Sequence, residues 1–347
     1  MQLTADQREL QDLVRRFFQD SVPSDYLRKR ITSGLRSDLA LWGALKQLGL
    51  EEGVASEEGG LSCADVGLIA EEVGRALLPE PLAERLFGDG IVPRYLSSAT
   101  KGFLKDFEGG TAVAPSSCCR LKLNARTKKV SGEILWAFGV EGAHRLIGSI
   151  EHGGASKLFV CSLKQSGVAH GVVPSLDLTA SLCSLSLKDA TVVLLSEEES
   201  SVVSDIFEIL KACEVYGVAS RVVEMSSEYL KTREQFGVPI GAFQALQQKL
   251  ADAYAQSESL GALCRFAAWS VQNDPSQRAL TARAAIAQAV DVGPAVCEVA
   301  IQVHGGIGFT WEYDLHLFLR RAKVIQSAFL MTGDRVNDLL SRAQVEG

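Results

Sequence analysis

The first third of the chain is patterned as amphipathic helices, with apolar residues recurring three and four positions apart. Thr4 and Gln7 form the pattern of a capping box, in which each side chain bonds the backbone N–H of the other residue. The apolar residues expected on the buried face of the following helix are Leu10, Leu13, Val14, Phe17 and Phe18. The same spacing predicts helices over residues 39–48 and 64–77, and Asp89-Gly90 then predicts a loop.

From about residue 111 to 200 the pattern changes to short segments that alternate between apolar and polar residues. Glycine, asparagine and aspartate separate these segments, as turn residues do between strands. The strand candidates are residues 121–124, 129–136, 157–163, 181–187 and 191–195. Several short strands with turns between them favour a small antiparallel barrel or sandwich.

The last part of the chain returns to a helical period over much longer segments. The predicted helices are residues 205–231, 242–269, 277–303 and 313–340. Gly293-Pro294 falls inside the third and predicts a kink or a break there. Four long helices with short connections indicate an up-down bundle. We therefore expect an α+β chain with a helical domain over 1–110, a β-domain over 111–200 and a four-helix bundle over 201–347.

Composition narrows the functional classes. A chain of 347 residues exceeds what one hydrophobic core comfortably holds, which agrees with two or three packed subdomains. The net charge is -7, and basic residues are interspersed with acidic ones, so nucleic acid is not an expected partner. We expect neither a signal peptide nor a membrane span, because no apolar run approaches about 18 residues. The eight cysteines form no Cys-x-x-Cys pair, which favours reduced thiols, no metal site and a cytoplasmic location.

Two segments of the helical part carry the most specific pattern. Residues 232–241 read Thr-Arg-Glu-Gln-Phe-Gly-Val-Pro-Ile-Gly, and residues 302–311 read Gln-Val-His-Gly-Gly-Ile-Gly-Phe-Thr-Trp. Leu-Arg-Arg-Ala-Lys follows at 319–323. Together these segments resemble the acyl-CoA dehydrogenase family, and the resemblance covers the whole chain, most strongly the predicted bundle.

The resemblance implies a flavin site shared between subunits. The arginine that matches Arg233 reaches across an interface to the diphosphate of FAD, which suits a forked guanidinium. Phe236 would pack nearby and Gln244 would hydrogen-bond the same cofactor. The turn with Gln302, Gly305 and Gly306 would hold the adenosine part of a neighbour's FAD. Without the resemblance, the same residues would read as a helical hairpin with a solvated arginine and a glycine helix cap.

The catalytic base of the family has no counterpart at its usual position. In most members a glutamate about six residues after the Arg-Arg-Ala-Lys segment removes the α-proton of the substrate, and here Phe329 stands there. Other members carry the glutamate on the first bundle helix, where Phe207 matches it and Glu208 is one residue later. One residue on a helix rotates the side chain by about 100°. Glu208 therefore reads as a surface or N-terminal-turn carboxylate, yet it is the one local candidate; Asp334 is a poorer one.

The flavin-binding turn of the family is also degraded. The matching stretch, residues 112–119, lacks the acidic residue and the glycines that such a turn has in the family. No threonine or serine follows Trp136, so this tryptophan reads as a core residue rather than a flavin contact. The β-domain of this chain is thus expected to hold little or no FAD itself.

The favoured reading is the smaller, base-deficient subunit of an α2β2 acyl-CoA dehydrogenase, resembling those of actinobacterial steroid side-chain catabolism. The resemblance implies α,β-dehydrogenation of an acyl-CoA, with a hydride passed to FAD and electrons passed on to an electron-transfer flavoprotein. A larger partner subunit would supply the catalytic glutamate. Two alternatives stay open: a homotetramer that uses Glu208 as base, and a flavin-free scaffold without activity.

Overall fold

A computed structural model of the protein describes residues 2–55, 60–105, 109–124, 126–152 and 155–330. Asp334 and the predicted helix end at residue 340 lie outside these ranges. The helices are α1 (Ala5–Ser21), α2 (Ser24–Ser33), α3 (Leu39–Gln47), α4 (Leu50–Ala55), α5 (Cys63–Ala76), α6 (Leu82–Arg85), α7 (Ser98–Lys105), α8 (Glu197–Thr232), α9 (Gln244–Asn273), α10 (Arg278–His304) and α11 (Leu315–Leu330). The strands are β1 (Thr111–Val113), β2 (Cys119–Asn124), β3 (Lys129–Phe138), β4 (Arg145–His152), β5 (Ala155–Ser162), β6 (Val168–Val172), β7 (Leu182–Thr191), β8 (Val193–Leu194), β9 (Glu234–Gln235) and β10 (Val238–Pro239).

The N-terminal helices begin where the capping pattern predicts. The Thr4 hydroxyl accepts the N–H of Gln7, and the Gln7 side chain accepts the N–H of Thr4, so the capping box is complete. Val14 and Phe18 of α1 are buried. The loop predicted at Asp89-Gly90 is wrong. Residues Leu86–Ile91 form a π-helical turn whose Leu86, Phe87 and Ile91 side chains are buried in the core, and packing there outweighs the Asp-Gly turn signal.

The central sheet has eight strands and is mixed rather than purely antiparallel. Seven strands follow the order β6-β7-β3-β1-β4-β5-β8, and β2 pairs with β3 beside this path. Strands β1 and β4 pair in parallel, with Ala112 opposite Leu146, whereas the other pairs of the sheet are antiparallel. One face of the sheet has its own core, in which Ile134, Leu146 and Phe159 are fully buried.

The C-terminal helices form the bundle that the long helical period predicts. Helix α8 is 36 residues long and begins eight residues before its predicted start, because Ser196 and Glu199 form a further capping box. Pro294 lies inside the continuous helix α10, so a break at Gly293-Pro294 does not occur. The segment Arg278–Phe309 is long and apolar enough to cross a membrane, but 61% of its most apolar window is buried inside the molecule, as in the central helix of a bundle.

Glycines bring the N-terminal helices against the bundle. A Cβ on Gly217 of α8 would lie 1.8 Å from the Glu71 carbonyl oxygen of α5, and one on Gly74 would lie 1.9 Å from the Glu214 carbonyl oxygen. No side chain fits at either position without moving the two helices apart. The resulting core is continuous from α1 through α5 and α8 to α10 and α11.

Candidate functional site

Four phenylalanines fill the space between the sheet, the π-helical turn and the bundle. The ring of Phe207 on α8 lies 5.4 Å from Phe87, 6.2 Å from Phe138 and 6.1 Å from Phe329, measured between ring centroids. All four side chains are buried. Positions 207 and 329 are those at which the family resemblance places a catalytic base. Both therefore carry aromatic rings, and these rings pack against each other.

A small cavity remains beside these rings. Its volume is about 50 Å³, and Phe207, Glu208 and Phe329 line it together with Pro115 and Ile147. A space of this size has room for a few water molecules. It has no room for an extended acyl chain unless the phenylalanine side chains move.

Glu208 lines this cavity, but its carboxylate is bound. Arg283 Nη1 on α10 donates to Glu208 Oε1 at 2.9 Å, and both side chains are about one-eighth exposed, at 13% and 12%. The structure thus joins Glu208 to a neighbouring helix.

A buried lysine one turn further along α8 was not anticipated from the sequence. Lys211 Nζ donates to Glu214 Oε2 at 2.8 Å and also to Glu84 Oε1 of α6, and it lies 4.1 Å from the centre of the Phe138 ring. Burial disfavours its charge, but Glu214 and Glu84 more than offset this effect and raise the pKa of Lys211. The lysine therefore stays protonated inside the protein.

Arg321 continues this network to the loop between β6 and β7. Its Nη1 donates to Glu214 Oε1 at 2.7 Å, its Nη2 donates to Thr179 Oγ1 at 2.8 Å, and its Nε donates to Asp177. Burial opposes the charge of Glu214, yet Lys211 and Arg321 together lower the pKa of that carboxyl. Lysine and glutamate three residues apart within an apolar run, as at 211 and 214, are the sequence signal that would have found this network.

Residues 112–119, which match the flavin-binding turn of the family, face inward. After β1, residues Ser116–Cys118 form a 3₁₀ turn, and the buried Ser117 hydroxyl donates to the Ala328 carbonyl oxygen at 2.6 Å. Trp136 packs edge-on against Phe138, with 5.2 Å between ring centroids, and belongs to the partly buried edge of the main core. The hydrogen bond of Ser117 joins this turn to α11.

The predicted cofactor residues lie on the surface, at one end of the bundle. Arg233 ends α8, with its N–H donated to the Tyr229 carbonyl oxygen at 2.9 Å. Its exposed guanidinium makes no hydrogen bond or ion pair with any residue in the described ranges. Phe236 and Gly237 follow as the two turn residues between β9 and β10, with φ angles of 56° and 82°. Positive φ at both positions is typical of a type I′ hairpin turn, which disfavours a bulky aromatic residue.

The second cofactor segment packs beside the first. Gln244 begins α9, and Gln302 near the end of α10 accepts a hydrogen bond from Lys249 Nζ at 2.7 Å. Gly305 ends α10 with φ 63° and ψ −140°, a conformation that glycine alone adopts readily, and Gly306 follows with open space around it. All these residues are exposed.

A small apolar cluster joins the two segments. Leu230, Ile240 and Val303 form its buried centre, and the Tyr229 ring stacks on His304 at 4.3 Å. His304 is buried, its Nδ1 lies 2.8 Å from the Ala300 carbonyl oxygen, and burial lowers its pKa. It is a packed histidine of this cluster.

These surface residues fit a diphosphate cofactor. An unbonded guanidinium, a phenylalanine that is 93% exposed and a glycine-only backbone position lie on one side of the bundle. The guanidinium suits a diphosphate, and the glycines let a nucleotide approach the backbone. The side chains reach outward, so a cofactor held by them would extend away from this chain.

The sequence and the fold of the chain are similar to those of known acyl-CoA dehydrogenases. The acyl-CoA dehydrogenase C-terminal domain is recognised over residues 209–328. The acyl-CoA dehydrogenase IpdE2 of Mycobacterium tuberculosis is 30% identical over 305 residues, which cover 85% of this chain and 84% of IpdE2. Among solved structures, the Tcur3481-Tcur3483 steroid ACAD G363A variant is 27% identical with a TM-score of 0.85, and covers 98% of this chain and 99% of its own.

A second structure shows the same fold at lower identity. The ChsE4-ChsE5 complex from Mycobacterium tuberculosis has a TM-score of 0.80 and 22% identity, and covers 99% of this chain and 98% of its own. The expected three-part architecture is therefore confirmed. From its sequence and its fold, the chain belongs to the acyl-CoA dehydrogenase family.

Proposed function

We propose that this chain is the base-deficient subunit of a heteromeric acyl-CoA dehydrogenase. FAD is the cofactor of the family, and when bound it accepts the hydride of the α,β-dehydrogenation. A partner subunit would supply the catalytic glutamate, and electrons would leave to an electron-transfer flavoprotein. This chain would hold part of the cofactor from its surface.

The packing of Phe207 against Phe329 carries the proposal. α-Proton abstraction needs a carboxylate beside the substrate carbon, in a pocket dry enough to raise its pKa. Both positions available for such a group in the family are phenylalanines here, with ring centroids 6.1 Å apart. The interior that would receive an acyl chain is reduced to about 50 Å³.

The surface of the bundle gives the chain its part in the proposed reaction. Arg233 and Gln244 would bind the diphosphate region, while Gln302, Gly305 and Gly306 would border the adenosine. Phe236 would pack at the joint between subunits, where its exposure and positive φ would be compensated by contacts with the partner.

Two of the similar structures support a heteromer and a steroid substrate. The Tcur3481-Tcur3483 protein is a steroid ACAD, and ChsE4-ChsE5 is a complex named for two chains. On that basis we propose a CoA thioester of a steroid side chain as substrate.

The homotetramer that uses Glu208 has one observation in its favour, since Glu208 lines the cavity beside Phe329. Its bond to Arg283 argues against it, because the base must first leave a charged partner. A flavin-free scaffold is the third case. The exposed hairpin with Arg233 and Phe236 does not favour it, because a scaffold has no need of a cofactor-binding surface.

Co-expression separates the three cases. The chain is purified alone and together with candidate larger acyl-CoA dehydrogenase subunits, and FAD content and acyl-CoA oxidation are measured. We expect the chain alone to lose FAD on dilution, and the complex to retain it and to be active. Stoichiometric, tightly held flavin and activity in the chain alone would establish the homotetramer. A complex that never binds flavin would establish the scaffold.

A further inference from the structure

A second cavity lies among the helices, and it shares no lining residue with the cavity beside Phe329. Its volume is about 310 Å³, and it lies between α1, α5, α8 and α9, partly open to solvent because its lining residues Tyr254 and Glu258 are exposed. Polar side chains line it, including Gln11 of α1, Glu71 of α5, Tyr216 of α8, and Ser257 and Arg265 of α9.

Three buried donors around this cavity have no protein partner. Gln11 Nε2, Ser257 Oγ and Arg265 Nε make no hydrogen bond with any residue in the described part of the chain. The Gln11 and Ser257 side chains are deeply buried, at 8% and 1% exposed. A buried donor left without a partner destabilises the folded state, because it has lost its hydrogen bonds to water. Three such groups on one cavity indicate that something which accepts hydrogen bonds occupies it.

The chemistry of these groups selects the ligand. The free positions of Gln11 and Arg265 can only donate, and the Ser257 hydroxyl can donate as well. Their complement is a group that only accepts, and a carboxylate offers two oxygens with about four lone-pair sites. Arg265 adds positive charge, although Glu71 lies 3.6 Å from its Nη2 and Tyr216 Oη accepts from it at 3.2 Å.

The remaining charges limit the ligand to a single negative charge. Glu224 and Glu258 line the cavity together with Arg15 and Arg75, and both arginines already bond carboxylates. A phosphate dianion would meet these glutamates without an additional free cation among the lining residues. A small monoanion fits the charge of the lining residues, and the cavity is large enough to hold it together with water.

We propose that this cavity binds a small monocarboxylate, whose oxygens accept hydrogen bonds from Gln11, Ser257 and Arg265. Such a ligand joins α1 to α9 and thereby fixes the N-terminal helices against the bundle. The site is independent of the acyl-CoA dehydrogenase reaction and of the heteromer proposed above.

Thermal unfolding of the full-length chain tests the site with propionate as the probe. Sodium propionate is compared with sodium chloride at equal ionic strength and with propionamide, which has the same shape without the charge. We expect the melting temperature to rise with propionate to a plateau, because a ligand of the folded state stabilises by mass action. Equal shifts with chloride or propionamide would overturn the proposal and leave a cavity filled by water alone.

Substitutions test whether propionate binds in this cavity. Ser257→Ala and Gln11→Leu each remove one donor, and we expect propionate affinity to fall about three- to tenfold. In the parent, the Ser257 hydroxyl and the Gln11 amide nitrogen make no hydrogen bond within the described chain. Removing them therefore breaks no such bond, and both variants should fold. Ser226→Ala is the control, because Ser226 is equally buried on α8 and bonds the Val222 carbonyl oxygen. Parent-like affinity in both donor variants would place propionate elsewhere and refute the site.

Discussion

A one-residue offset along α8 separates Phe207, which stands at a base position, from Glu208, which bonds Arg283. The sequence predicted the offset, and the structure adds its reason, because the carboxylate is taken up by a neighbouring helix. The sequence did not reveal that Phe207 and Phe329 would touch, since that contact joins residues 122 positions apart through packing alone.

Glu208→Gln should leave turnover of the assembled enzyme within about twofold of the parent. Loss of a true general base costs about 10² to 10⁴ in rate, so steady-state acyl-CoA oxidation separates the two outcomes. The free energy of unfolding should fall by about 1–3 kcal/mol, because the amide binds Arg283 less strongly. Glu298→Gln, at an exposed pair with Lys323, is the matched control. A hundredfold loss of rate with FAD still bound would make Glu208 the base.

Glu71 should make stability depend on pH. Burial raises the pKa of its carboxyl from 4.5 to about 7, and Glu72 adds to this, while Arg265, Arg75 and Arg15 act in the opposite direction. The folded protein thus holds a proton that the unfolded chain releases near pH 4.5, so this contribution to stability is full below that pH. It is lost as pH rises to about 7.

Urea unfolding at pH 5 and pH 8 measures this loss. The parent should lose about 2–3 kcal/mol more than Glu71→Gln between the two values, because the amide does not titrate. Other titrating groups contribute equally to both proteins and cancel in the comparison. Parallel pH profiles would show that Glu71 is ionised in the folded protein at pH 5.

At the scale of elements, the sequence predicted that the hairpin of β9 and β10 exists, but it did not predict the backbone conformation at its tip. The motif from 232 to 241 marked a turn between two helices, and the turn is there. The positive φ of Phe236 was not foreseen, because the motif does not show which residue sits at the tip. Strands β1, β4 and β6 were missed as well; β4 is buried along most of its length and so shows no alternation.

Arg233→Ala should weaken FAD binding by the assembled enzyme while leaving the subunit's own stability unchanged. A charge-assisted contact to diphosphate is worth about 1.5–3 kcal/mol, which corresponds to about ten- to a hundredfold in affinity. The guanidinium makes no bond to the rest of the described chain, so the melting temperature of the isolated subunit should not move. Arg16→Ala, at an exposed arginine of α1, is the control. Equal FAD retention in both variants would mean that Arg233 is only a solvated turn residue.

At the scale of the molecule, the network of Lys211 connects α6, α8, the loop between β6 and β7, and α11. The order of helices, sheet and bundle followed from hydrophobic periodicity, but this network did not, because it joins charges more than 100 residues apart. Periodicity reports which face of an element is buried. It does not report which buried charges meet.

Lys211→Met should cost about 3–5 kcal/mol of unfolding free energy, because it leaves Glu84 and Glu214 buried beside a reduced positive charge. Chemical denaturation measures the loss. Adding Glu84→Gln should recover part of it, since one of the two carboxylates is then neutral. Lys231→Met, at an exposed position on the same helix, should change stability by less than about 0.5 kcal/mol. A similarly small effect of Lys211→Met would show that the network is not essential to stability.

The outward-facing Phe236 and Phe309 have a consequence for the cell. With FAD shared at a joint between subunits, flavin supply would set how much assembled enzyme exists, by mass action. When flavin is scarce, unassembled copies would accumulate with these two rings at 93% and 75% exposure. Exposed aromatic residues of this kind favour aggregation and attract chaperones and proteases. Under the proposed function, we therefore expect the abundance of this chain to follow that of its partner and of FAD. When FAD is scarce, the chain should be degraded faster.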